Sequence, residues 1–547
     1  MMKLNLDRRS LLKLGLGASA LALTGTACST RDKYDDPWER GDLQHMMPLV
    51  SHQAMNIKLS FNAARESVPL LRIGSRVVSG EQQDTAGRFW AFRVGQLSPD
   101  TEYWLQLIDQ AGQALCDGWP LKTFPAPEQQ TERLRVITYT CAGGPDLPVL
   151  PGNRDAFKPA AYRQKLFELM LAQEPDLVVA NGDHVYWDYR SWTENRDSAL
   201  GRAAMRLFLK VWGGAFAEDL PVLGTENEAV LTAIADEQIA RIYGVAFRST
   251  PVFFITDDHD YFENDDATPE IVTFPPSSFN RDLRQSLQRL YFPEFIVEET
   301  LQETFPGQFS AGGVNLSTHF GSLRYGDLFA GVLYDCGGQL NLQGDRAGLV
   351  PPAVESWLIE NTRSEDTQHF AHFPSHPMGW TAGKWREWYP DMLESSGTTL
   401  AAVQRDAEGN KYLWQSGWWY QHQRLVQALS AQKRRKALVV SGDLHLLGAG
   451  RIDRSGDLDL RSNPVYTVLS GPVGVGGLGW LSTARGLTAA TAKDVGIEEF
   501  MPPVERNGFT VLNLTRESCD VVLFSCPAGY VPPEHLTLST AHRFQVV

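Results

Sequence analysis

Four short segments of this sequence contain side chains that bind metal ions, and each follows a predicted buried strand. The segments are Cys141, Asn181–Tyr186, Thr256–Asp260 and Gly442–His445. Thiolate, carboxylate, phenolate and imidazole groups gathered in one place can form a metal site. Carboxylates clustered without a counter-charge are strongly unfavourable, so the grouping implies a cation. An aspartate that only caps a following helix is the alternative for one such segment, but four segments on successive strands favour the metal site.

The elements that must position these segments alternate between strands and helices. Strands are predicted at Leu134–Tyr139, Asp176–Ala180, Val252–Ile255 and Ala437–Ser441, and helices at Ala160–Ala172, Ala229–Ile242 and Tyr420–Leu429. Such alternation is typical of an α/β layered domain. Open α/β sheets bind ligands at the carboxyl ends of their strands, where all four segments lie. Residues 187–250 are predicted to form a helical insertion that flanks or covers the site.

The chain before the first of these strands has a different pattern. Short alternating runs separated by turn residues occupy residues 46–126: Asn56–Phe61, Leu70–Ile73, Phe89–Val94 and Tyr103–Leu107. This pattern predicts a small all-β sandwich. The segment Leu97–Tyr103 resembles the L-x-P-x-T-x-Y corner of fibronectin type III domains, in which the tyrosine anchors a strand crossover.

Residues 1–27 predict an export signal. Lys3, Arg8, Arg9 and Lys13 precede the short apolar run Leu14–Leu23, and small residues follow it. This three-part pattern is that of a secretory signal, and it is too short for a stable membrane span. The arginine pair with the residues after it resembles the twin-arginine form. A chance arginine pair in an ordinary signal is the alternative.

Residues 28–45 predict a linker that begins at Cys28, because most of them are polar and without periodicity. Cys28 is a candidate lipid-anchor site. However, Gly25 stands where a lipobox favours leucine, so plain cleavage after Ala27 is the alternative. Either outcome predicts an exported protein of the periplasm or cell surface. The twin-arginine form implies the twin-arginine export machinery as a partner.

Composition argues against several classes of protein. The 547 residues have a formal net charge of -15, which argues against a nucleic-acid-binding platform. No internal stretch reaches the roughly 18 uninterrupted apolar residues that a membrane span needs. Six cysteines in so long a chain are too few for a dense disulfide framework. A small phosphate-containing substrate remains compatible with the acidity, because a metal ion supplies positive charge locally.

These features together resemble the PhoD-type alkaline phosphatase/phosphodiesterase family of the metallophosphoesterase superfamily. That family joins a twin-arginine signal and a fibronectin-like domain to a core with a strand-end cysteine and the patterns G-D-x-x-Y, D-D-H and G-D-x-H. Here they occur in that order at Cys141, Gly182–Tyr186, Asp257–His259 and Gly442–His445. The resemblance implies an α/β fold, a metallophosphoesterase-type layered αββα core over residues 127–547, preceded by the fibronectin III-like sandwich.

The resemblance also implies a role for each of five residues in a two-metal site. Asp183 would bridge the two metals, and Cys141 and Tyr186 would bind a ferric ion; the alternatives are a buried thiol at Cys141 and a packing aromatic at Tyr186. Asp258 matches the usual asparagine ligand of the second metal. His259 matches the histidine that protonates the leaving group.

Further residues complete the site that the resemblance implies. Asp443 and His445 match the final ligand pair, whereas His184 and Asp257 are interpreted as supporting residues. His372 and His376 are the candidates for one more histidine of the superfamily, with His376 taken as the additional site residue. The family uses iron with calcium, and its relatives use zinc, manganese or iron pairs.

One departure from the family concerns the substrate. Asp335–Gly338 stands where the family often has D-T-R-Q-x-R, so an arginine that would help to hold the phosphate is missing and the substrate class stays open. The sequence predicts an exported phosphoesterase in which a metal-activated hydroxide attacks a phosphate ester in line. Phospholipase-like or nucleotidase activity at the same site is one alternative. A non-catalytic cell-surface adhesion protein that binds metal is another, and His259 argues against it because a structural metal needs no proton donor.

Overall fold

The computed structural model describes residues 38–146, 155–187, 214–260, 275–297, 305–341, 347–381, 416–484, 488–491, 494–529 and 531–547. The predicted export signal, Cys28 and most of the predicted linker lie outside these residues. Among the helices that are described, none is both long enough and apolar enough to cross a membrane. The five cysteines in the described ranges are free thiols.

The first eight strands form two four-stranded antiparallel sheets around a common core. Their bounds are β1 (Leu43–Val50), β2 (Met55–Phe61), β3 (Leu70–Ile73), β4 (Arg76–Ser79), β5 (Glu81–Gln82), β6 (Phe89–Val94), β7 (Glu102–Ile108) and β8 (Trp119–Lys122). One sheet has the order β1-β2-β6-β5 and the other the order β4-β3-β7-β8. Alternate residues of both sheets, such as Ile57 and Leu105, point into this core. The short alternating runs therefore form a β-sandwich, as predicted.

Two contacts in the sandwich bear on the sequence predictions. β1 begins at Leu43, inside the stretch predicted as a linker, because His45 is buried and its Nδ1 lies 2.7 Å from the Ser60 hydroxyl on β2. The sandwich therefore starts earlier than predicted. Tyr103 accepts a hydrogen bond at its hydroxyl from the Ser98 backbone N–H, 2.8 Å away. This contact is the one expected of a tyrosine that anchors a strand crossover.

A six-stranded sheet begins the second part of the molecule. It contains β9 (Arg133–Tyr139), β10 (Leu177–Asn181), β11 (Val252–Ile255), β23 (Gly508–Thr515), β24 (Cys519–Ser525) and β25 (Ser539–Val546), in the order β11-β10-β9-β23-β24-β25. The first three strands are parallel and the last three pair antiparallel. β10 and β11 are buried along their whole length, as parallel strands covered on both faces are.

An eight-stranded sheet and a small three-stranded sheet complete the strands. The large sheet contains β15 (Phe320–Tyr325), β16 (Phe329–Tyr334), β17 (His369–Pro374), β18 (Ala437–Ser441), β19 (Leu447–Ser455), β20 (Leu458–Asp459), β21 (Val465–Ser470) and β22 (Val495–Val504). Its order is β15-β16-β17-β18-β21-β19-β20, with β22 paired to β19 and the run from β16 to β21 parallel. The small sheet contains β12 (Phe295–Ile296), β13 (Gln308–Ala311) and β14 (Val314–Ser317).

The helices lie between the strands in the chain. They are α1 (Ala160–Leu171), α2 (Glu226–Ala235), α3 (Arg241–Tyr243), α4 (Ser278–Tyr291), α5 (Pro352–Ser364), α6 (Ser416–Ser430) and α7 (Leu481–Ala484), with short 3-10 helices at Asp258–Asp260 and Pro533–His535. A π-helical turn, Asp236–Ala240, joins α2 to α3. The Thr225 and Ser277 side chains cap α2 and α4 by accepting backbone N–H bonds. Of the predicted helical insertion, residues 188–213 lie outside the described ranges.

Three apolar clusters show that the helices and sheets form four layers. Val136 of the six-stranded sheet and Leu438 of the eight-stranded sheet lie in one core between the sheets. Leu166 of α1 packs with the outer face of the six-stranded sheet, and Leu425 of α6 packs with the outer face of the eight-stranded sheet. The layers therefore follow the order helix, sheet, sheet, helix. This is the αββα arrangement that the sequence predicts.

The carboxyl ends of the two parallel runs are tied together by one side chain. Asn181 ends β10, and its Nδ2 donates to the Pro374 carbonyl at 3.0 Å and to the Val440 carbonyl at 3.2 Å. Pro374 is the last residue of β17, and Val440 lies near the end of β18. This amide therefore sets the spacing of the two sheet edges from which the predicted ligands extend.

Candidate metal centre

The four segments predicted to bind metal meet where the parallel strands of the two sheets end. Cys141, Asp183 and Asp258 follow β9, β10 and β11, and Asp443 follows β18 of the second sheet. All four side chains are buried. The Cys141 Sγ lies 3.3 Å from Asp183 Oδ2 and 3.8 Å from the Asp443 carbonyl oxygen. Both sheets therefore supply one cluster.

Four residues of this cluster have a left-handed backbone. The φ angles are 51° at Cys141, 61° at Asp183, 67° at Asp443 and 58° at His445. Non-glycine residues in this region cost about 1–3 kcal/mol each and persist where the surrounding structure holds them. The strain occurs in three of the four predicted ligand segments, those that contain Cys141, Asp183 and Asp443, and such clustering is typical of a functional site.

Cys141, Asp183 and His445 form the first possible ligand group, with one ligand atom of each within 4.8 Å of the others. The Tyr186 hydroxyl donates to Asp183 Oδ2 at 3.1 Å and lies 3.1 Å from His445 Nε2. The His445 Nδ1 lies 2.9 Å from the Gly479 carbonyl oxygen. Because a carbonyl only accepts, Nδ1 carries the hydrogen in this contact, which leaves the Nε2 lone pair for a metal.

Two more possible ligand groups lie beside the first: the second shares Asp183 with it, and the third shares Asp258 with the second. Asp183, Asp258 and His259 form the second, and Asp257, Asp258 and Asp443 form the third, again with ligand atoms within 4.8 Å. Asp183 and Asp258 each belong to two groups, the position that a bridging carboxylate occupies. The His259 ring packs on the Tyr186 ring with centroids 4.3 Å apart.

His376 lies beside the third group. Its Nδ1 is 2.8 Å from Asp257 Oδ1, and the same oxygen accepts a hydrogen bond from the Ser375 hydroxyl at 2.9 Å. Burial lowers the pKa of His376, but Asp257 and Asp443 raise it more, so the net shift is upward. The predicted additional site residue therefore contacts the cluster through Asp257.

His372, the other histidine candidate, lies away from the cluster. It is buried within β17, with Nδ1 3.0 Å from the Tyr334 hydroxyl and Nε2 2.8 Å from the Thr362 hydroxyl. Burial lowers its pKa to about 3. Both ring nitrogens have partners in the protein core, so His372 is a structural residue.

The charge of the cluster fits a metal centre. Burial raises the pKa of Asp183 well above its usual range; His259 opposes this shift, and Asp258 adds to it. Asp183 Oδ1 and Asp257 Oδ2 are buried and accept no hydrogen bond from any described residue. Carboxylate oxygens in this setting need a cation. The thiol, phenol, imidazole and carboxylate groups around them are all metal ligands.

Asp260 is a site residue that the sequence analysis did not single out. Its carboxylate accepts four backbone N–H bonds, from Asp183 at 3.0 Å, His184 at 2.8 Å, Val185 at 2.9 Å and Asp257 at 2.9 Å. One buried carboxylate thus joins the segment after β10 to the segment after β11. Its place at the end of the D-D-H-D string was the only sequence signal.

The Cys141 segment is held by residues that are distant in the sequence. Arg163 of α1 is buried, and its Nη1 donates to the carbonyls of Ala142, Gly143 and Gly144 at 2.8–2.9 Å. On the other side, Gly474 donates its N–H to the Cys141 carbonyl at 2.8 Å. A Cβ at Gly474 would lie only 2.9–3.0 Å from the carbonyl oxygens of residues 141–143. The close approach of the two segments therefore requires glycine at this position.

Asp335, where the sequence departs from the family pattern, makes a compact turn rather than joining a ligand group. Its Oδ1 accepts the N–H groups of Gly337 and Gly338 at 2.8 and 2.9 Å. Its Oδ2 accepts the Thr256 hydroxyl at 2.8 Å, which places it behind the Asp257 segment. Burial raises the pKa of Asp335 to about 8. Gly337 and Gly338 therefore serve this turn.

Comparison with known proteins identifies the fold. Neither a protein-family model nor a curated protein sequence matches this chain. The solved structure of PhoD matches with a TM-score of 0.56 and 12% identity, over 94% of this chain and 91% of PhoD. The purple acid phosphatase PPD1 from yellow lupin (Lupinus luteus) seeds matches with a TM-score of 0.50 and 10% identity, over 92% of this chain and 73% of PPD1. The chain therefore has the metallophosphoesterase-type fold found in PhoD and PPD1, with a β-sandwich before its αββα core.

Proposed function

We propose that this protein is a metal-dependent phosphoric ester hydrolase of the PhoD type. The observation that supports this most strongly is the overlap of three ligand groups through Asp183 and Asp258 at the joined edges of two sheets. PhoD and a purple acid phosphatase share this fold. A structural metal needs one closed ligand shell, whereas overlapping groups suit two metals that act on one substrate.

The described residues divide into two ligand sets and one proton donor. Cys141, Asp183, Tyr186 and His445 would hold one ion, and Asp183, Asp258 and Asp443 would hold the other. Bound metals would supply Lewis-acid charge and an acidified water. His259 packs on Tyr186 beside both sets, where it would hold the proton that the departing alkoxide takes.

The two ligand sets differ in chemistry, which favours two different metals. The first set offers a thiol and a phenol, which suit iron. The second set, Asp183, Asp258 and Asp443, offers only carboxylate oxygens, which suit calcium or another hard cation. We therefore propose iron with calcium. Elemental analysis and a visible spectrum of protein from its own host test this assignment, and active, colourless, iron-free protein would replace it with a zinc or manganese pair.

A substrate panel tests the proposed activity directly. Phosphate monoesters, diesters, a phospholipid and a nucleotide are offered to the metal-loaded protein, with the metal-stripped protein as the control. Hydrolysis of simple esters only after metal loading is the expected result. Preference for the lipid or the nucleotide would assign phospholipase-like or nucleotidase activity to the same site. Metal binding without hydrolysis of any ester would favour the alternative of a non-catalytic adhesion protein that binds metal.

Export through the twin-arginine machinery is a further part of the proposal, and residues 1–27 are its basis. Replacing the pair with lysine, Arg8→Lys and Arg9→Lys, keeps the charge but removes the signature. We expect the variant to stay in the cytoplasm while the unchanged chain reaches the periplasm or cell surface, as cell fractionation would show. Mass spectrometry of the exported chain distinguishes a lipid on Cys28 from cleavage after Ala27.

A further inference from the structure

The π-helical turn Asp236–Ala240 interrupts an otherwise regular run of helix from α2 to α3. Such turns are uncommon and often occur at functional sites. This one places Gln238 in the protein interior, where it has no exposed surface. The glutamine belongs to neither the predicted ligands nor the apolar core.

Gln238 contacts both sides of the first ligand group. Its Oε1 accepts the Gly144 N–H at 2.7 Å and the Tyr186 N–H at 2.9 Å, and its Nε2 lies 3.4 Å from the Tyr186 carbonyl. Gly144 ends the segment that starts at Cys141. One amide oxygen therefore uses both lone pairs to join the cysteine segment to the tyrosine.

The segments that this amide joins are closely packed. Gly144 has a φ of 102°, and a Cβ at this position would overlap the Phe157 ring. Phe157 in turn packs on the Tyr186 ring with centroids 4.9 Å apart. A buried backbone N–H without an acceptor is unfavourable, so loss of Gln238 favours movement of these segments away from their present positions.

The sandwich fixes the turn from its other side. Asp236, two residues before Gln238, accepts the Arg88 guanidinium at 2.8 Å and the Tyr291 hydroxyl at 2.6 Å. Glu228 of α2 accepts the backbone N–H and the hydroxyl of Thr85, both at 2.8 Å. The loop before β6 thus holds the helix that presents Gln238.

We propose that Gln238 is a positioning residue that holds the Cys141 segment and Tyr186 at the separation the first metal requires. The proposal rests on the proposed metal centre and adds a residue and a structural element to it. Gln238 touches no candidate ligand side chain through its amide, so it acts through the backbone. Outer groups of this kind typically change metal affinity by about 10- to 100-fold.

The test compares two buried glutamines whose amide oxygens each accept two backbone N–H bonds. Gln421 of α6 accepts the N–H groups of Leu349 and Val350 at 2.8 and 3.2 Å and is buried, but none of its bonds involves a ligand segment. Gln238→Met and Gln421→Met each remove an acceptor and keep the side-chain length. Co²⁺ alone is titrated into the metal-stripped full chain, and thiolate-to-cobalt absorption reports binding at Cys141.

We expect Gln238→Met to weaken Co²⁺ binding by about 10- to 100-fold and Gln421→Met to leave it unchanged. Gln238→Glu keeps an acceptor for both N–H groups, so this variant should bind Co²⁺ more tightly than Gln238→Met. If Gln238→Met does not fold, the proposal requires that Gln238→Glu give the same cobalt spectrum as the wild type. Equal affinity in Gln238→Met and the wild type would overturn the proposal. Because no substrate is present, a chain that binds Co²⁺ as expected but hydrolyses nothing would contradict only the proposed function. A wild type that binds no Co²⁺ would overturn both.

Discussion

His259 lies on the Tyr186 ring, with a ring nitrogen within 4.8 Å of carboxylate oxygens of Asp183 and Asp258. If it donates a proton to the leaving group, His259→Ala should lower turnover by about 10²–10⁴-fold. The loss should be largest for alkyl phosphates and much smaller for a nitrophenyl ester, whose leaving group needs no proton. Rates for a series of leaving groups measure this dependence.

Metal content separates this role of His259 from that of a ligand. As a proton donor it can be removed without loss of metal, so His259→Ala should keep the wild-type metal stoichiometry. Equal losses of rate for all leaving groups, together with loss of one metal, would make His259 a ligand of the second group instead.

Asp183 belongs to two ligand groups at once, so its loss should affect both metals. We expect Asp183→Asn to weaken both metals by at least about 100-fold, more than the loss of an outer residue does. Elemental analysis of the purified variant is the measurement. Asp335→Asn is a matched control, because Asp335 is a buried aspartate near the site that belongs to none of these groups. Retention of one metal at full stoichiometry in Asp183→Asn would show that Asp183 is not the bridge.

The sequence predicted the residues at strand ends and missed those that hold them. Cys141, Asp183 and Asp443 follow buried strands, and the ends of parallel strands meet by the geometry of the fold. Asp260 and Gln238 act through backbone N–H groups of other segments. A side chain that bonds to a backbone N–H group does not restrict the residue type at its partner's position, since nearly every residue type supplies such a group. The sequence therefore shows no pattern there. Contacts of this kind are therefore visible only in the structure.

At the scale of elements, the 3-10 helix Asp258–Asp260 connects the segments after β10 and β11 through one carboxylate. Asp260→Asn keeps the shape but replaces one acceptor oxygen with an N–H donor that faces backbone N–H groups. We expect it to lower the free energy of unfolding by about 2–3 kcal/mol, the cost of unsatisfied buried donors. It should also weaken metal binding, because Asp183 and Asp257 lose their shared anchor. Urea unfolding and a metal titration measure the two effects.

Asp109 provides the control for this prediction. Its carboxylate likewise accepts backbone N–H bonds, two of them, from Ala111 and Gln113, but in an exposed turn of the sandwich. Asp109→Asn should change stability by no more than about 0.5 kcal/mol, as surface substitutions usually do. If Asp260→Asn changed the free energy of unfolding and the metal affinity no more than Asp109→Asn does, Asp260 would have no positioning role.

Most of the predicted elements are present, and the parts missed share a physical cause. The strands Val252–Ile255 and Ala437–Ser441 are short continuous apolar runs, which identify buried parallel strands. Among the strands that were missed, β22 mixes buried and exposed residues without strict alternation, and β25 has no buried residue. Such strands depend on their neighbours for pairing, so local sequence carries little information about them.

For the molecule as a whole, a buried charge cluster joins the sandwich to the αββα core. Lys58 of β2 lies 2.8 Å from Glu294, which follows α4, and Arg93 of β6 lies 3.5 Å from the same carboxylate. Burial raises the pKa of Glu294, but Lys58 and Arg93 lower it more, and the net shift is downward. Removing one member of a buried pair leaves an uncompensated charge, so Glu294→Gln should cost about 3 kcal/mol.

This cluster also predicts how stability depends on pH. Because the folded pKa of Glu294 lies below its ordinary value of 4.5, the unfolded chain binds its proton first as the pH falls. The stabilisation is therefore fully present above 4.5 and is lost as the pH falls through the folded pKa. Urea unfolding from neutral pH to below 4.5 should show a steeper loss in the wild type than in Glu294→Gln. Parallel pH profiles would contradict the prediction.

The order of strands in the six-stranded sheet has a consequence for biosynthesis. β9 leads into Cys141, and its partner on one side is β23, with Leu512 paired to Val136. The ribosome makes β9 first and must add more than 350 further residues before Gly508–Thr515 can pair with it. A nascent chain that stops earlier exposes β9 as an open edge, with Cys141 at its end. The candidate metal centre, which has Cys141 at the end of β9, can therefore be completed only after β23 has left the ribosome, so we expect metal to bind after these strands have been made rather than while they are being made.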